Sequence, residues 1–291
     1  MSAPRRSFSL PTLIIATLAL IVTTPAPVTA QVAVRYVALG DSYASGPLIP
    51  NQRTDPIGCF RSDHNYAALV ATALGATDFV DVTCGGATTS DMTQPQDISG
   101  GTAPPQFDAL TADTSLVTIT ISGNDIGFTD ILTTCASESV SNPVGHPCQD
   151  RFTSGGTDEL AGRIATAGAK VAAVLRGIGE RAPNAELVVV GYLRILPDSN
   201  GCWPVVPIAW GDVPYLNAVE ASLNAMLRDH TAAVGGTFVN PDATGHDSCQ
   251  SPANKWVEGI VPTSLAAPVH PNAAGMAAVA QLVLGALNDR Q

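Results

Sequence analysis

Five short runs rich in β-branched and apolar residues recur along the chain, at Val34 to Leu39, Phe79 to Val82, Leu116 to Ser122, Leu187 to Gly191 and Thr237 to Val239. Segments of helical spacing or composition lie between and after them, at Asn65 to Leu74, Thr157 to Arg181, Asp212 to Val234 and Pro271 to Leu287. Strands that alternate with helices cannot pair as hairpins, so they predict a parallel sheet with helices on both faces. The stretches Gly46 to Asp63, Cys135 to Gly156, Pro197 to Gly211 and Pro241 to Pro268 are rich in Gly, Pro, Ser and Asp and read as loops. No internal repeat or low-complexity linker divides the chain, and about 260 residues suffice for one sizeable core.

Residues 1–30 read as a segment outside that core. Arg5 and Arg6 form a basic start and Leu13 to Val22 an apolar stretch short for a bilayer, while Val28-Thr29-Ala30 suits a signal peptidase. Cleavage after Ala30 is expected, leaving residues 31–291 as a single domain secreted to the extracellular medium, with the Sec and Tat routes both open. Without the leader, 12 basic residues face 25 acidic ones, a net charge of −13. Such a surface repels nucleic acid, and no later apolar run is long enough for stable membrane insertion. Six cysteines in an exported chain read as disulfides, with fifteen possible pairings. No Cys-x-x-Cys or His-x-x-x-His pair supports a metal, and no cofactor is called for.

Candidate chemistry gathers at strand ends. Ser42, in Gly40-Asp41-Ser42, follows the first strand, and Asn124, in Gly123-Asn124-Asp125, follows the third. Both would stand at the carboxyl edge of the sheet, where open α/β sheets bind ligands. A serine hydroxyl needs a base, and His270, ahead of the final helix that Pro271 would open, is the candidate. His64, His146, His230 and His246 read as structural or solvent-facing. Each block alone is also an ordinary turn, and Asp41 and Asp125 read as local hydrogen-bond anchors of those turns, with no metal required.

Together Gly40-Asp41-Ser42-Tyr43-Ala44-Ser45-Gly46, Cys84-Gly85-Gly86-Ala87-Thr88-Thr89, Gly123-Asn124-Asp125 and His270-Pro271-Asn272 resemble, in order, the motif blocks of the SGNH (GDSL-type) esterases and lipases, most closely the secreted actinobacterial branch. The resemblance implies a three-layer α/β/α, flavodoxin-like fold with a five-stranded parallel sheet and disulfide-closed loops. It pairs Cys59 with Cys84, Cys135 with Cys148 and Cys202 with Cys249. It makes Ser42 the nucleophile and His270 the general base, and it assigns the oxyanion donors to the N–H groups of Ser42 and Gly86 and the side-chain amide of Asn124. Many members carry Asp three positions before the histidine, where this chain has Ala267. A backbone carbonyl near Ala267 is therefore expected to orient His270, with Asp242 or Asp247 as the second choice.

The expected substrate is a small-molecule or lipid ester with an apolar acyl group, in a pocket to which Phe60, Trp203, Trp210 and Trp256 are candidates, and the expected state is a monomer. Carbohydrate O-acetyl esters are the alternative within the same chemistry. A non-catalytic glycan- or lipid-binding envelope protein on the same fold is the alternative outside it.

Overall fold

Two central strands are buried on both faces and set the frame: β1 (Arg35–Gly40) and β5 (Leu116–Thr120). Their side chains include Val37, Leu39, Val117 and Ile119, all without exposed surface, and burying each such side chain contributes about 1.5–3 kcal/mol. The computed structural model describes residues 34–289 together with Met1 and Ala3. The expected leader, residues 1–30, otherwise lies outside the described residues. Ala33–Gln291 forms one compact unit.

In chain order the strands are β1, β2 (Asp78–Asp81), a small antiparallel ribbon of β3 (Gln96–Ile98) and β4 (Gly101–Ala103), then β5, β6 (Glu186–Val190) and β7 (Thr237–Val239). The main sheet is five-stranded and wholly parallel in the order β2-β1-β5-β6-β7. The helices are a single turn α1 (Ser42–Ser45), then α2 (Tyr66–Leu74), α3 (Phe128–Ser139), α4 (Pro147–Thr153), α5 (Glu159–Arg181), α6 (Val213–Ala233) and α7 (Ala273–Asn288). Helix α2 packs with α7, and α5 with α6, giving a three-layer α/β/α arrangement.

This topology decides where the site lies. The chain leaves β1 toward β2 on one side and reaches β5 on the other, so order reverses between β1 and β5. Parallel sheets open a crevice at that switch point, outside the carboxyl ends of the strands. The register pairs Gly40 with Thr120 and Ala38 with Asp81. The segments beginning at Asp41, Val82 and Ile121 thus leave the same edge side by side.

All five predicted strands form, within two residues of their expected ends. The segment Cys135 to Gly156 is not simply a loop: it contains the end of α3 and all of α4. The inner stripe of α3 is Ile131, Cys135 and Ser139, so two of its three buried positions carry residues that hide the apolar period. Pro147 opens α4, where a missing N–H costs nothing, and the Cys135–Cys148 disulfide ties the two helices. Cys59–Cys84 and Cys202–Cys249 are also bonded. Pro271 stands outside α7, whose N-cap is Asn272, its side chain accepting from the Gly275 N–H at 3.0 Å. No helix among the described residues is long and apolar enough to cross a membrane.

Candidate active site

At the end of β1 the chain must turn hard against β5. Gly40 has φ +139°, and a Cβ there would stand 2.4 Å from the Thr120 carbonyl oxygen, so only glycine fits. The Asp41 N–H donates to that same Thr120 oxygen at 2.9 Å. Asp41 then caps α1, its Oδ1 accepting from the Tyr43 N–H at 2.9 Å, which presents Ser42 as the first residue of the turn.

The structure brings Ser42 and His270 together across 228 positions of sequence, with Nε2 of the imidazole 2.8 Å from Oγ. The other ring nitrogen, Nδ1, lies 2.7 Å from the Pro268 carbonyl oxygen. A carbonyl only accepts, so Nδ1 carries the hydrogen and Nε2 presents its lone pair to the serine hydroxyl. The orienting oxygen is thus that of Pro268 and not that of Ala267, whose carbonyl accepts the backbone N–H of His270 at 3.3 Å. The one-residue shift follows from Val269, which sits at φ +58°. That conformation is strained for a β-branched residue, and the Tyr43 hydroxyl holds it by donating to the Val269 carbonyl at 2.8 Å.

Neither alternative acid reaches the ring. Asp242 accepts from Arg194 Nε at 2.6 Å, and Asp247 accepts from the Cys249 N–H and the Gln250 amide, each at 2.9 Å. Burial lowers the His270 pKa below the ordinary imidazole value, partly offset by the bond to Pro268. The ring is therefore neutral, and basic at Nε2, at neutral pH. Tyr43 and Phe128 wall it, with ring centroids at 5.3 and 6.4 Å.

Gly86 is exposed at φ +80°. Asn124 Nδ2 donates one hydrogen to the Ala87 carbonyl at 2.8 Å, which fixes the amide and leaves its second hydrogen to point elsewhere. The blocks are cross-braced. Asp125 does not anchor its own turn but accepts from the Thr89 N–H at 2.9 Å and hydroxyl at 2.5 Å, joining the Asn124 block to the Gly86 block. Ser122, two residues before Asn124, sits at φ +102°, and strain of this kind is held only where surroundings over-determine it.

Two supporting residues escape sequence reasoning. Tyr192 follows β6 at the same sheet edge; its hydroxyl accepts from the Gly123 N–H at 2.6 Å and donates to Asp41 Oδ2 at 2.5 Å. Glu258, with no exposed surface, accepts from the Thr263 N–H and hydroxyl, the Ser264 hydroxyl and Asn272 Nδ2. Its backbone N–H donates to the His270 carbonyl at 3.0 Å. Burial alone would raise the Glu258 pKa, but the bonds from Asn272, Ser264 and Thr263 reverse this and bring it to about 2. This carboxylate gathers the loop that carries His270.

The remaining candidates lie away from the reaction centre. His64 pairs with Asp63, His146 with Asp150 at 2.9 Å, and His246 stacks on Trp256 at 3.8 Å. None of Phe60, Trp203, Trp210 and Trp256 lines the apolar cavity near the site. Its walls are mainly apolar side chains from α3, α6, the segments after β5 and β6 and the stretch from Ile260 to Val269, among them Phe128, Ile131, Leu196, Val206, Ile208 and Leu223. The aromatic residues fail as predictors because Trp256 packs on His246, while Phe60 and Trp210 face solvent. No cluster of His, Cys, Asp and Glu suited to a metal occurs among the described residues.

A parallel α/β/α sheet with a hydroxyl and an imidazole in hydrogen-bond contact at its switch point, beside an apolar cavity, is the arrangement of a serine-hydrolase type of site. The model of the GDSL-like lipase/acylhydrolase family matches residues 38–278, and the chain belongs to that family and is a carboxylic ester hydrolase. Lipase 2 of Streptomyces coelicolor is 39% identical over 271 residues, covering 90% of this chain and 88% of that protein. The crystal structure of phospholipase A1 from Streptomyces albidoflavus NA297 superposes with a TM-score of 0.68 at 29% identity, over 89% of this chain and 100% of that one. The extracellular lipase of Streptomyces rimosus gives a TM-score of 0.68 at 30% identity, over 87% and 100%.

Proposed function

We propose that residues 31–291 form a secreted single-domain serine esterase or lipase that hydrolyses carboxylic esters of apolar acids through an acyl-enzyme on Ser42. The observation that carries this reading is the 2.8 Å contact between Ser42 Oγ and His270 Nε2, with Nδ1 tied to Pro268. His270 takes the hydroxyl proton as Oγ attacks the ester carbonyl. The carbonyl oxygen becomes an oxyanion, which the N–H groups of Ser42 and Gly86 and the amide of Asn124 stabilise, each worth about 3–4 kcal/mol when aimed at the developing charge. The imidazolium then protonates the leaving alkoxide. A water molecule, deprotonated by the same Nε2, attacks the acyl-enzyme and regenerates Ser42.

The apolar cavity, about 80 Å³, includes Gly123 and Val269, the neighbours of Asn124 and His270, and supports an acyl chain as its occupant. Asn124 also borders a groove of mixed character, lined by Thr88, Ser90, Thr93 and Lys170 together with Met92 and Phe107, which supports the alcohol portion as its occupant. The reading is tested by hydrolysis of p-nitrophenyl acetate and of longer acyl esters, with Ser42→Ala as control. Equal rates for parent and variant discard it, and a preference confined to acetyl esters moves the assignment from lipase to acetylesterase. A site for the leader's removal after Ala30 is tested by the N-terminus of protein recovered from culture medium.

A further inference from the structure

The apolar cavity ends on two polar side chains that the reaction does not use. Its near wall is Gly123, Phe128 and Val269, beside the catalytic pair, and its far wall is α6, which contributes Asn217 and Glu220. These residues are one helical turn apart and so share a face. Glu220 is the only carboxylate among the lining residues. Its Oε2 accepts from the Ile195 N–H at 3.1 Å, and its other oxygen has no hydrogen-bond partner among the described residues. Arg194, the neighbour of Ile195, makes its ion pairs with Asp242 and Asp198 rather than with Glu220.

We propose that Glu220 is a specificity residue that recognises a hydroxyl group on the acyl chain, so that this site favours esters of hydroxylated acids over those of plain alkyl acids. The proposal rests on the reading of the cavity as the acyl site of a Ser42 esterase. A polar atom in an apolar cavity stays unsatisfied when a methyl group arrives beside it, and that mismatch costs free energy. A hydroxyl both donates and accepts, and so satisfies it. Burial, reinforced by the charge on Asp242 and opposed by the bond from Ile195 and by Arg194, raises the Glu220 pKa to about 8. At neutral pH the group is a neutral acid that also both donates and accepts, which matches a hydroxyl and not an anion. A site built to hydrogen-bond a substrate hydroxyl discriminates against the analogue lacking it far more strongly than an apolar wall discriminates by size.

The experiment uses p-nitrophenyl esters of straight-chain acids from butyrate to dodecanoate, each with and without a terminal hydroxyl, at neutral pH. For the parent protein, kcat/KM should favour the hydroxylated ester by about tenfold or more at the chain length that reaches α6. Glu220→Leu should abolish or invert that ratio, and Glu220→Gln should keep much of it. Thermal melts establish that the variants are folded. A parent ratio near unity at every length overturns the assignment, as does a preference that survives in Glu220→Leu. If Ser42→Ala hydrolyses the esters as fast as the parent, the underlying esterase reading fails instead, so the two failures are distinguishable.

Discussion

The hydroxyl of Tyr192 donates to the buried carboxylate of Asp41 at 2.5 Å while accepting from the Gly123 N–H. One phenol therefore couples the turn that presents Ser42 to the turn that presents Asn124. Coupling them fixes the distance between Ser42 and Asn124, the proposed nucleophile and a proposed oxyanion donor, and errors of about 1 Å in such distances cost on the order of 100-fold in rate.

Tyr192→Phe should accordingly lower kcat for p-nitrophenyl esters well below the parent's and reduce stability by about 1–3 kcal/mol, because a buried carboxylate and a buried N–H each lose a partner. Urea unfolding and steady-state kinetics measure the two effects. Unchanged kcat with reduced stability would make the phenol a purely structural link.

The titration of Asp41 bears on the same network. Burial raises its pKa from 3.8 to about 7, against the bonds from Tyr192 and Tyr43 that lower it. A carboxyl with a raised folded-state pKa binds more protons folded than unfolded between those values, so its contribution to stability falls as pH climbs from about 4 to about 7 and is flat above. Glu258 works oppositely. Its folded pKa of about 2 lies below the ordinary 4.5, so its contribution is full above pH 4.5 and disappears as pH falls toward 2. Stability curves of Glu258→Gln should lack most of that acid-side loss, while the parent shows it; identical acid slopes would refute the assignment.

The orientation of His270 by the Pro268 carbonyl predicts what carboxylate variants do. Asp242→Asn and Asp247→Asn should each leave turnover near the parent's, because neither group contacts the ring. The kcat/KM profile should rise with pH to a plateau as His270 deprotonates, with its midpoint below the ordinary histidine value of 6.5 because burial disfavours the imidazolium. A large fall in turnover in either variant, or a midpoint above 6.5, contradicts a dyad held by the main chain.

What the sequence disclosed, and what it hid, follows from how each feature is encoded. The central strands were legible because both faces are buried, leaving near-continuous runs such as Leu116 to Ser122. Ser42 and His270 were legible because each sits in a short motif with few competitors. Helix α3 was not, since Cys135 and Ser139 occupy its inner stripe. The Pro268 carbonyl was displaced by one residue from the expected Ala267 because the left-handed turn at Val269 depends on a tertiary bond from Tyr43. Tyr192 and Glu258 are single residues whose partners lie far along the chain or in loops, and only Tyr192 carried a signal, its place directly after a strand at the site's edge. Aromatic residues are the expected lining of the pocket, whereas the apolar cavity beside Ser42 and His270 is lined mainly by aliphatic ones drawn from widely separated segments.

Asn124 offers the sharpest test of the oxyanion assignment. One of its two amide hydrogens is committed to the Ala87 carbonyl, so the amide is preorganised before substrate arrives and pays no reorganisation during attack. Removing it should therefore act on the transition state more than on the ground state. Asn124→Ala should lower kcat by about 100- to 1,000-fold with little change in KM. Asn124→Asp, similar in shape, should be at least as damaging, because a carboxylate accepts where a donor is needed and repels the developing oxyanion. A variant in which KM rises while kcat holds would show that Asn124 binds the ester uniformly rather than stabilising the charge that forms during acyl transfer.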